Sequence, residues 1–76
     1  MDKQVLENQI RMVMDSSDEW LSPKQVATIL KERFDTDTPH ATVRARLDSL
    51  VKIKELDFKS ERYHGHEAFY YRRVTA

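Results

Sequence analysis

The chain has 76 residues, of which 39 % are hydrophobic and 34 % charged, a composition typical of one small globular domain rather than a disordered or membrane protein. It lacks cysteine, which excludes disulfides, thiol chemistry and cysteine zinc sites. Thirteen basic and thirteen acidic residues give zero net charge, which counts against a strongly basic nucleic-acid-binding protein.

The first residues form no signal-peptide pattern, and no apolar run approaches the roughly 20 residues of a membrane span. We therefore expect a cytoplasmic protein without membrane contact, associated with the nucleoid if the host is prokaryotic or viral. The initial Met1 and the lack of a visible tag predict a complete small protein with a single domain covering residues 1–76.

The charges are distributed unevenly along the chain. Residues 1–38 contain five basic and eight acidic side chains, a net charge of −3, whereas residues 39–76 contain eight basic and five acidic, a net charge of +3. A molecule with this dipole can present its second half to phosphates while the acidic N-terminal half faces water or a protein partner.

The first predicted element is an amphipathic helix over residues 3–16. One face repeats apolar residues at helical spacing: Leu6, Ile10, Val13 and Met14. A second, separated apolar stripe contains Met1, Val5 and Met12. Either the small domain wraps this helix on both sides, or the stripe is a homodimer contact, since small DNA-binding proteins often pair two half-sites.

A second capped helix is predicted over residues 23–34, after a short strand stub at Trp20-Leu21. Ser22 is its expected N-cap, Pro23 fits the first helical position, and Gln25 completes a capping box. The expected inward residues are Val26, Ile29, Leu30 and Phe34. Residues 35–37 then interrupt the helical pattern, and two helices joined by so short a break are typical of a helix-turn-helix.

The third predicted helix, over residues 39–53, has unlike faces. Thr38 is the expected N-cap and Pro39 the first helical residue. The expected inward face is formed by Val43, Leu47, Leu50, Val51 and Lys54. The opposite face holds Ala41, Thr42, Ala45, Ser49 and Lys52, with Arg44 and Arg46 on the two flanks. Small and cationic groups opposite an apolar face suit a DNA-recognition helix.

A β-hairpin is predicted over residues 55–74. Leu56 and Phe58 alternate with polar residues, residues 68–74 are aromatic and strand-like, and Gly65 supplies the positive φ that a reversing turn needs. Four aromatic side chains can pack in the core or stack on single-stranded bases: Tyr63, Phe69, Tyr70 and Tyr71. At least two of them are expected in the core.

Three segments of the chain together resemble the winged helix-turn-helix family: WLSPKQVATIL for the supporting helix, TPHATVRARLDSLVKIKEL for the recognition helix, and YHGHEAFYYRR for the wing. The resemblance implies an α+β fold of three helices followed by a C-terminal β-hairpin wing. One departure is that Lys54-Glu55 stands where the family usually has a glycine, so the strand register at Leu56 and Phe58 stays open.

The resemblance also implies a DNA-binding surface. Recognition-helix candidates for the major groove are His40, Ala41, Thr42, Arg44, Ala45, Arg46, Ser49 and Lys52, and wing candidates for the adjacent groove or backbone are Lys59, Arg62, His64 and His66. Ser22 and Lys24 suit a phosphate at the start of the supporting helix. Alternatively, Arg44 and Arg46 are solvated flanks, with Arg44 paired to Asp48 at i+4.

The function that we expect is double-stranded DNA binding by a small transcriptional regulator, as a dimer in which Val5 and Met12 lie at the interface. The alternatives are a winged-helix protein-interaction module without DNA binding, or a DNA-binding role in replication, partition or genome packaging. No nucleophile–base constellation or phosphate loop indicates an enzyme, and no cofactor is expected. His64 and His66 alone fall short of the ligands that a zinc site needs.

Overall fold

The computed structural model describes residues 3–74, which form three helices and a two-stranded antiparallel hairpin. The elements are α1 (Lys3–Asp15), α2 (Pro23–Phe34), α3 (His40–Lys52), β1 (Leu56–Tyr63) and β2 (His66–Arg73). This order confirms the predicted α+β architecture of three helices plus a C-terminal hairpin. No helix within residues 3–74 is both long enough and apolar enough to cross a membrane.

One face of α1 lies in the core, and the other apolar stripe does not. The predicted inward residues Leu6, Ile10, Val13 and Met14 are all buried. Val5 and Met12 are 45 % and 51 % exposed, so the expectation that the domain wraps α1 on two sides is wrong for these residues. The reason is that α2, α3 and β2 all pack against the same side of α1. Met1, the third member of the stripe, lies outside the described residues.

Helix α2 begins as its sequence indicates. The Gln25 backbone N–H donates to Ser22 Oγ at 3.2 Å and the Ser22 N–H donates to Gln25 Oε1 at 2.8 Å, which confirms the capping box. Of the expected inward residues, Val26 and Leu30 are fully buried, whereas Ile29 and Phe34 are partly buried against the core.

The turn between α2 and α3 forms without glycine. Asp35 adopts the left-handed conformation, with φ 53°, and its N–H donates to the Lys31 carbonyl at 3.1 Å. The buried Thr36 hydroxyl donates to Gln9 Oε1 of α1 at 2.7 Å. These two contacts reverse the chain and attach the turn to α1.

The start of α3 differs from the expectation. Thr38 is not the N-cap: Pro39 holds that position with an extended ψ of 146°, without a side-chain cap hydrogen bond. The Pro39 carbonyl accepts the first hydrogen bonds of the helix, from the Thr42 and Val43 N–H groups, both at 3.1 Å. Because Pro39 is itself still extended, the helical conformation starts one residue later than expected, and Thr38 lies one residue too early to cap. The helix therefore begins at His40.

The end of α3 uses a non-glycine residue in a left-handed cap. Lys54 has φ 63°, its N–H donates to the Val51 carbonyl, and the Glu55 N–H donates to the Leu50 carbonyl, both at 3.0 Å. This pair of bonds is a Schellman motif. The helix ends at Lys52, so the expected inward position of Lys54 is wrong and its side chain is exposed. The remaining inward residues are Val43, Leu47 and Leu50, all fully buried, and Val51, partly buried.

Substituting Lys54→Gly is expected to raise the free energy of unfolding by about 1 kcal/mol, since glycine adopts positive φ without the clash that a Cβ causes. Urea denaturation followed by circular dichroism measures the change. The matched control is Lys52→Gly two residues earlier, within the helix, where glycine is expected to lower stability by a similar amount. A loss of stability in both variants would contradict the interpretation that Lys54 is strained at positive φ.

The hairpin has a two-residue turn. β1 pairs with β2 in the register Leu56↔Arg73 to Tyr63↔His66, which leaves His64 and Gly65 at the tip with φ of 47° and 81°. Positive φ at both positions defines the turn type that matches the twist of two strands. The predicted stub is present as an antiparallel bridge between Leu21 and Tyr71, with two 2.8 Å backbone bonds.

With the register given by the strand pairing, one face of the hairpin turns toward the core. Leu56 and Tyr71 are buried, and Phe69 packs partly buried against the core, so at least two of the four aromatic residues belong to the core as expected. Phe58 is on the same face as Leu56, yet it stays 45 % exposed. Its ring stacks on that of Phe69, with centroids 5.7 Å apart, and is tilted against that of Tyr71, with centroids 5.5 Å apart.

Candidate nucleic-acid interface

The exposed face of α3 consists mostly of small side chains. His40, Ala41, Ala45, Ser49 and Lys52 are exposed, and Thr42 is partly so. The Ser49 hydroxyl donates to the Ala45 carbonyl at 3.1 Å, which leaves its oxygen free to accept further bonds. Short side chains along a whole helix face allow its backbone to approach another surface closely.

Arg44 lies in the corner between α3 and the hairpin. Its guanidinium carbon is 4.1 Å from the centre of the Phe69 ring, and its Nε is 3.9 Å from Asp48 Oδ2. The i+4 ion pair that the sequence offered as an alternative is therefore present. Both side chains stay about half exposed, so the pair borders the exposed face of α3.

Arg46 is on the other flank and turns toward α1. Its Nη1 is 3.5 Å from Glu7 Oε1, and the side chain is only 23 % exposed. The structure thus separates the two arginines: one lies against the hairpin and the other against the first helix. A DNA contact by Arg46 requires it to leave Glu7.

Helix α3 is joined to the hairpin by a partly buried hydrogen bond. The Tyr71 hydroxyl donates to Asp48 Oδ1 at 2.5 Å. Burial first, and this bond to Asp48 second, raise the pKa of Tyr71 above its ordinary value, so the phenol stays a proton donor at neutral pH. The bond thus connects α3 directly to β2.

The cations of the hairpin do not share one surface. Alternation along β1 places Arg62 on the face of Phe58 and Lys59 on the opposite face. Arg62, His64 and His66 are exposed toward the tip. The Lys59 ammonium pairs with Glu61 at 3.0 Å, and the Tyr63 hydroxyl also donates to Glu61. The Tyr63 bond first, and then Lys59, lower the pKa of Glu61.

A cation–aromatic cluster on the hairpin's outer face was not foreseen. The Trp20 ring has the Arg72 guanidinium carbon 4.4 Å from its centre and the Lys59 ammonium at 4.8 Å. Arg72 Nε is buried without a hydrogen-bond partner among the described residues. The alternation of β2 was the available signal, since it places Arg72 on the face of Lys59.

The start of α2 lies next to this cluster along the chain. Ser22 Oγ already accepts the Gln25 N–H, so its hydroxyl proton remains for another acceptor, and Lys24 is exposed in the first turn. Across residues 3–74 no three His, Cys, Asp or Glu side chains group closely enough to hold a metal ion.

Three helices followed by an antiparallel hairpin, with a strand stub that bridges to β2, define a winged helix-turn-helix domain. Among solved structures, the chain is similar to Bacillus subtilis PadR in complex with operator DNA, with a TM-score of 0.75 and 18 % identity. The similarity covers 92 % of this chain and 40 % of that one, so this chain spans two fifths of the PadR length. At this identity the likeness establishes the fold.

Sequence comparisons add no closer assignment. No protein-family model matches the chain, and no curated protein matches it either.

Proposed function

We propose that this protein is a double-stranded DNA-binding transcriptional regulator that places α3 in the major groove and the wing, residues 59–67, on the adjacent backbone or minor groove. The observation that carries the proposal is the exposed face of α3, whose small side chains leave room for a groove wall. Ala41 and Ala45 permit close approach, while His40, Thr42 and Ser49 offer polar groups to base edges or phosphates.

The charge arrangement supports contact with phosphates. Lys52 and Arg62 are exposed and make no ion pair with another described residue. By contrast, Asp18 and Asp35 of the acidic N-terminal half pair with Arg73 and Lys31 within the fold. Acidic groups that could repel DNA are thus partly neutralised away from the exposed face of α3.

The fold comparison points the same way. PadR was solved bound to operator DNA, and its similarity extends over 92 % of this chain. In this proposal, Lys24 and the Ser22 hydroxyl contact a phosphate at the start of α2, and His64 and His66 contact other phosphates from the tip of the wing. Lys59, on the outer face of the hairpin, contacts a phosphate after leaving Glu61. Arg44 reaches a base edge, and Arg46 reaches a phosphate after leaving Glu7.

Titration of isotope-labelled protein with a generic 20-base-pair duplex at low salt tests this proposal. We expect amide shifts at residues 40–52 and 59–66, with affinity that falls steeply as salt rises and counterions compete. The amides of residues 31–33, near the end of α2, serve as the internal control. Absence of shifts at low salt would overturn DNA binding and leave a protein-interaction module.

We further propose that the regulator is a homodimer through α1. Val5 and Met12 form the exposed stripe that the domain itself leaves uncovered, and two copies on paired half-sites gain affinity over one.

Met12→Glu is expected to shift the dimer toward monomer, because a carboxylate buried in an apolar contact loses its hydration. Sedimentation velocity measures the mass, and Met12→Leu, which keeps an apolar side chain, is the matched control. A monomer mass for the wild type and both variants at micromolar concentration would end the dimer proposal.

A further inference from the structure

Four side chains join α3 to the wing, and we name them the α3–wing seam: Arg44, Asp48, Phe69 and Tyr71. Asp48 is at its centre, since one carboxylate oxygen accepts the Tyr71 hydroxyl at 2.5 Å and the other is 3.9 Å from Arg44 Nε. The Arg44 guanidinium packs over the Phe69 ring, with its central carbon 4.1 Å from the ring centre. Asp48 thus holds both the wing and the arginine beside the exposed face of α3.

Asp48 also places a negative charge beside the face of α3 that we assign to DNA. It is the single carboxylate in the sequence of α3, and its side chain is 47 % exposed at the edge of the face that we assign to DNA. A negative charge there repels every phosphate that comes near, whatever the base sequence. A neutral amide oxygen also accepts a tyrosine hydroxyl, although more weakly than a carboxylate does, so the bond to Tyr71 can form without that charge.

We propose that Asp48 is a selectivity-setting residue that positions Arg44 for a base edge and penalises contacts to phosphate. This inference rests on the proposed DNA binding. An unrestrained arginine reaches any nearby phosphate and therefore strengthens binding to every sequence. Held between Asp48 and Phe69, Arg44 has less freedom to do so, and its planar donors suit a base edge with two acceptors, such as guanine.

The penalty and the restraint act together. In a complex without the right base, Asp48 repels the backbone and Arg44 stays paired within the seam. In a complex that contains the right base, the Arg44 donors bind the acceptors of that base, while the Tyr71–Asp48 bond keeps the wing in place. Discrimination then comes from disfavouring wrong sequences as much as from favouring the right one.

The variant that separates these roles is Asp48→Asn, which keeps an acceptor for the Tyr71 hydroxyl but removes the charge. We first select a duplex from a random pool with the wild type, and then measure the affinities of both proteins for that duplex and for the unselected pool. Asp48→Asn is expected to bind the pool about fivefold more tightly and to lose about tenfold in the ratio of selected to pool affinity.

The matched control is Asp57→Asn, an exposed β1 carboxylate that makes no ion pair with another described residue. It changes the net charge equally, so it is expected to strengthen both affinities alike and keep the ratio. A second variant, Arg44→Lys, keeps the charge but loses the planar group over Phe69, and it is expected to reduce the ratio with little change in pool binding.

The outcomes are distinct. If Asp48→Asn changes both affinities by the same factor as Asp57→Asn, or if Arg44→Lys keeps the wild-type ratio, the assignment of selectivity to the seam is overturned. If the wild type binds no duplex at low salt, the proposed function itself fails. The inference is supported if both seam variants have a lower ratio of selected to pool affinity than the wild type while Asp57→Asn keeps the wild-type ratio.

Discussion

Ala45→Glu is expected to reduce the affinity of the protein for duplex DNA by at least about a hundredfold, equivalent to about 3 kcal/mol. Ala45 is exposed in the middle of α3, on the face where the helix must come closest to the groove. Glutamate adds both length and a negative charge at that point. The fold is expected to remain intact, because glutamate is a good helix former and the position faces away from the core.

Fluorescence anisotropy with a labelled duplex at low salt measures this loss. Val74→Glu, after β2, is the matched control, since it adds the same charge at an exposed position outside both the exposed stripe of α1 and the proposed DNA surface. The control is expected to bind within about twofold of the wild type. An equal loss in both variants would indicate a general charge effect and contradict the assignment of α3 as the contacting helix.

Leu47→Ala is expected to lower the free energy of unfolding by about 3 kcal/mol, because truncation of a buried leucine removes apolar contacts and leaves a cavity. Leu47 is fully buried at the centre of α3 and belongs to the single core cluster shared by the helices and the hairpin. A domain this small has a total stability near the lower end of the range for natural proteins. The variant is therefore expected to populate the unfolded state noticeably at 37 °C.

Urea denaturation monitored by circular dichroism measures this change. Ile53→Ala, at an exposed position directly after α3, is the control and is expected to change stability by less than about 0.5 kcal/mol. Similar losses at both positions would mean that Leu47 does not lie in the core.

The parts of the fold that depend on local patterns could be predicted from the sequence. The inward faces of α1 and α3 follow from apolar residues at helical spacing, and the capping box at Ser22 specifies where α2 begins. Gly65 indicates the hairpin turn, and the alternation around Leu56 gives the strand face. Each of these signals lies within a few residues of the structure that it specifies.

The parts of the structure that depend on contacts between distant residues could not be predicted from the sequence. A helical projection puts Arg44 and Arg46 on opposite flanks, but only the folded chain brings Arg46 to Glu7, 39 positions earlier, and Arg44 onto Phe69. The same holds for the bond between Tyr71 and Asp48, since it requires both the strand register and the angle at which the hairpin meets α3.

Backbone exceptions form a separate class. Asp35, Lys54 and His64 all adopt positive φ. Aspartate and histidine adopt it more often than most residues do, but the residue type of Lys54 gives no such indication. At Lys54 the two hydrogen bonds of the Schellman motif accompany the strained conformation. The sequence signals a helix end only by the loss of apolar periodicity, and this places the end less precisely than a glycine does.

The cation–aromatic cluster at the base of the wing gives the protein a built-in optical reporter. Trp20 is the sole tryptophan of the chain, and its ring lies against the cations of Lys59 in β1 and Arg72 in β2. Its indole emission depends on the electric field of these two cations, so a shift of either strand changes the spectrum. Stopped-flow measurement of Trp20 fluorescence can therefore follow movements of the wing in the unmodified protein, without an added label.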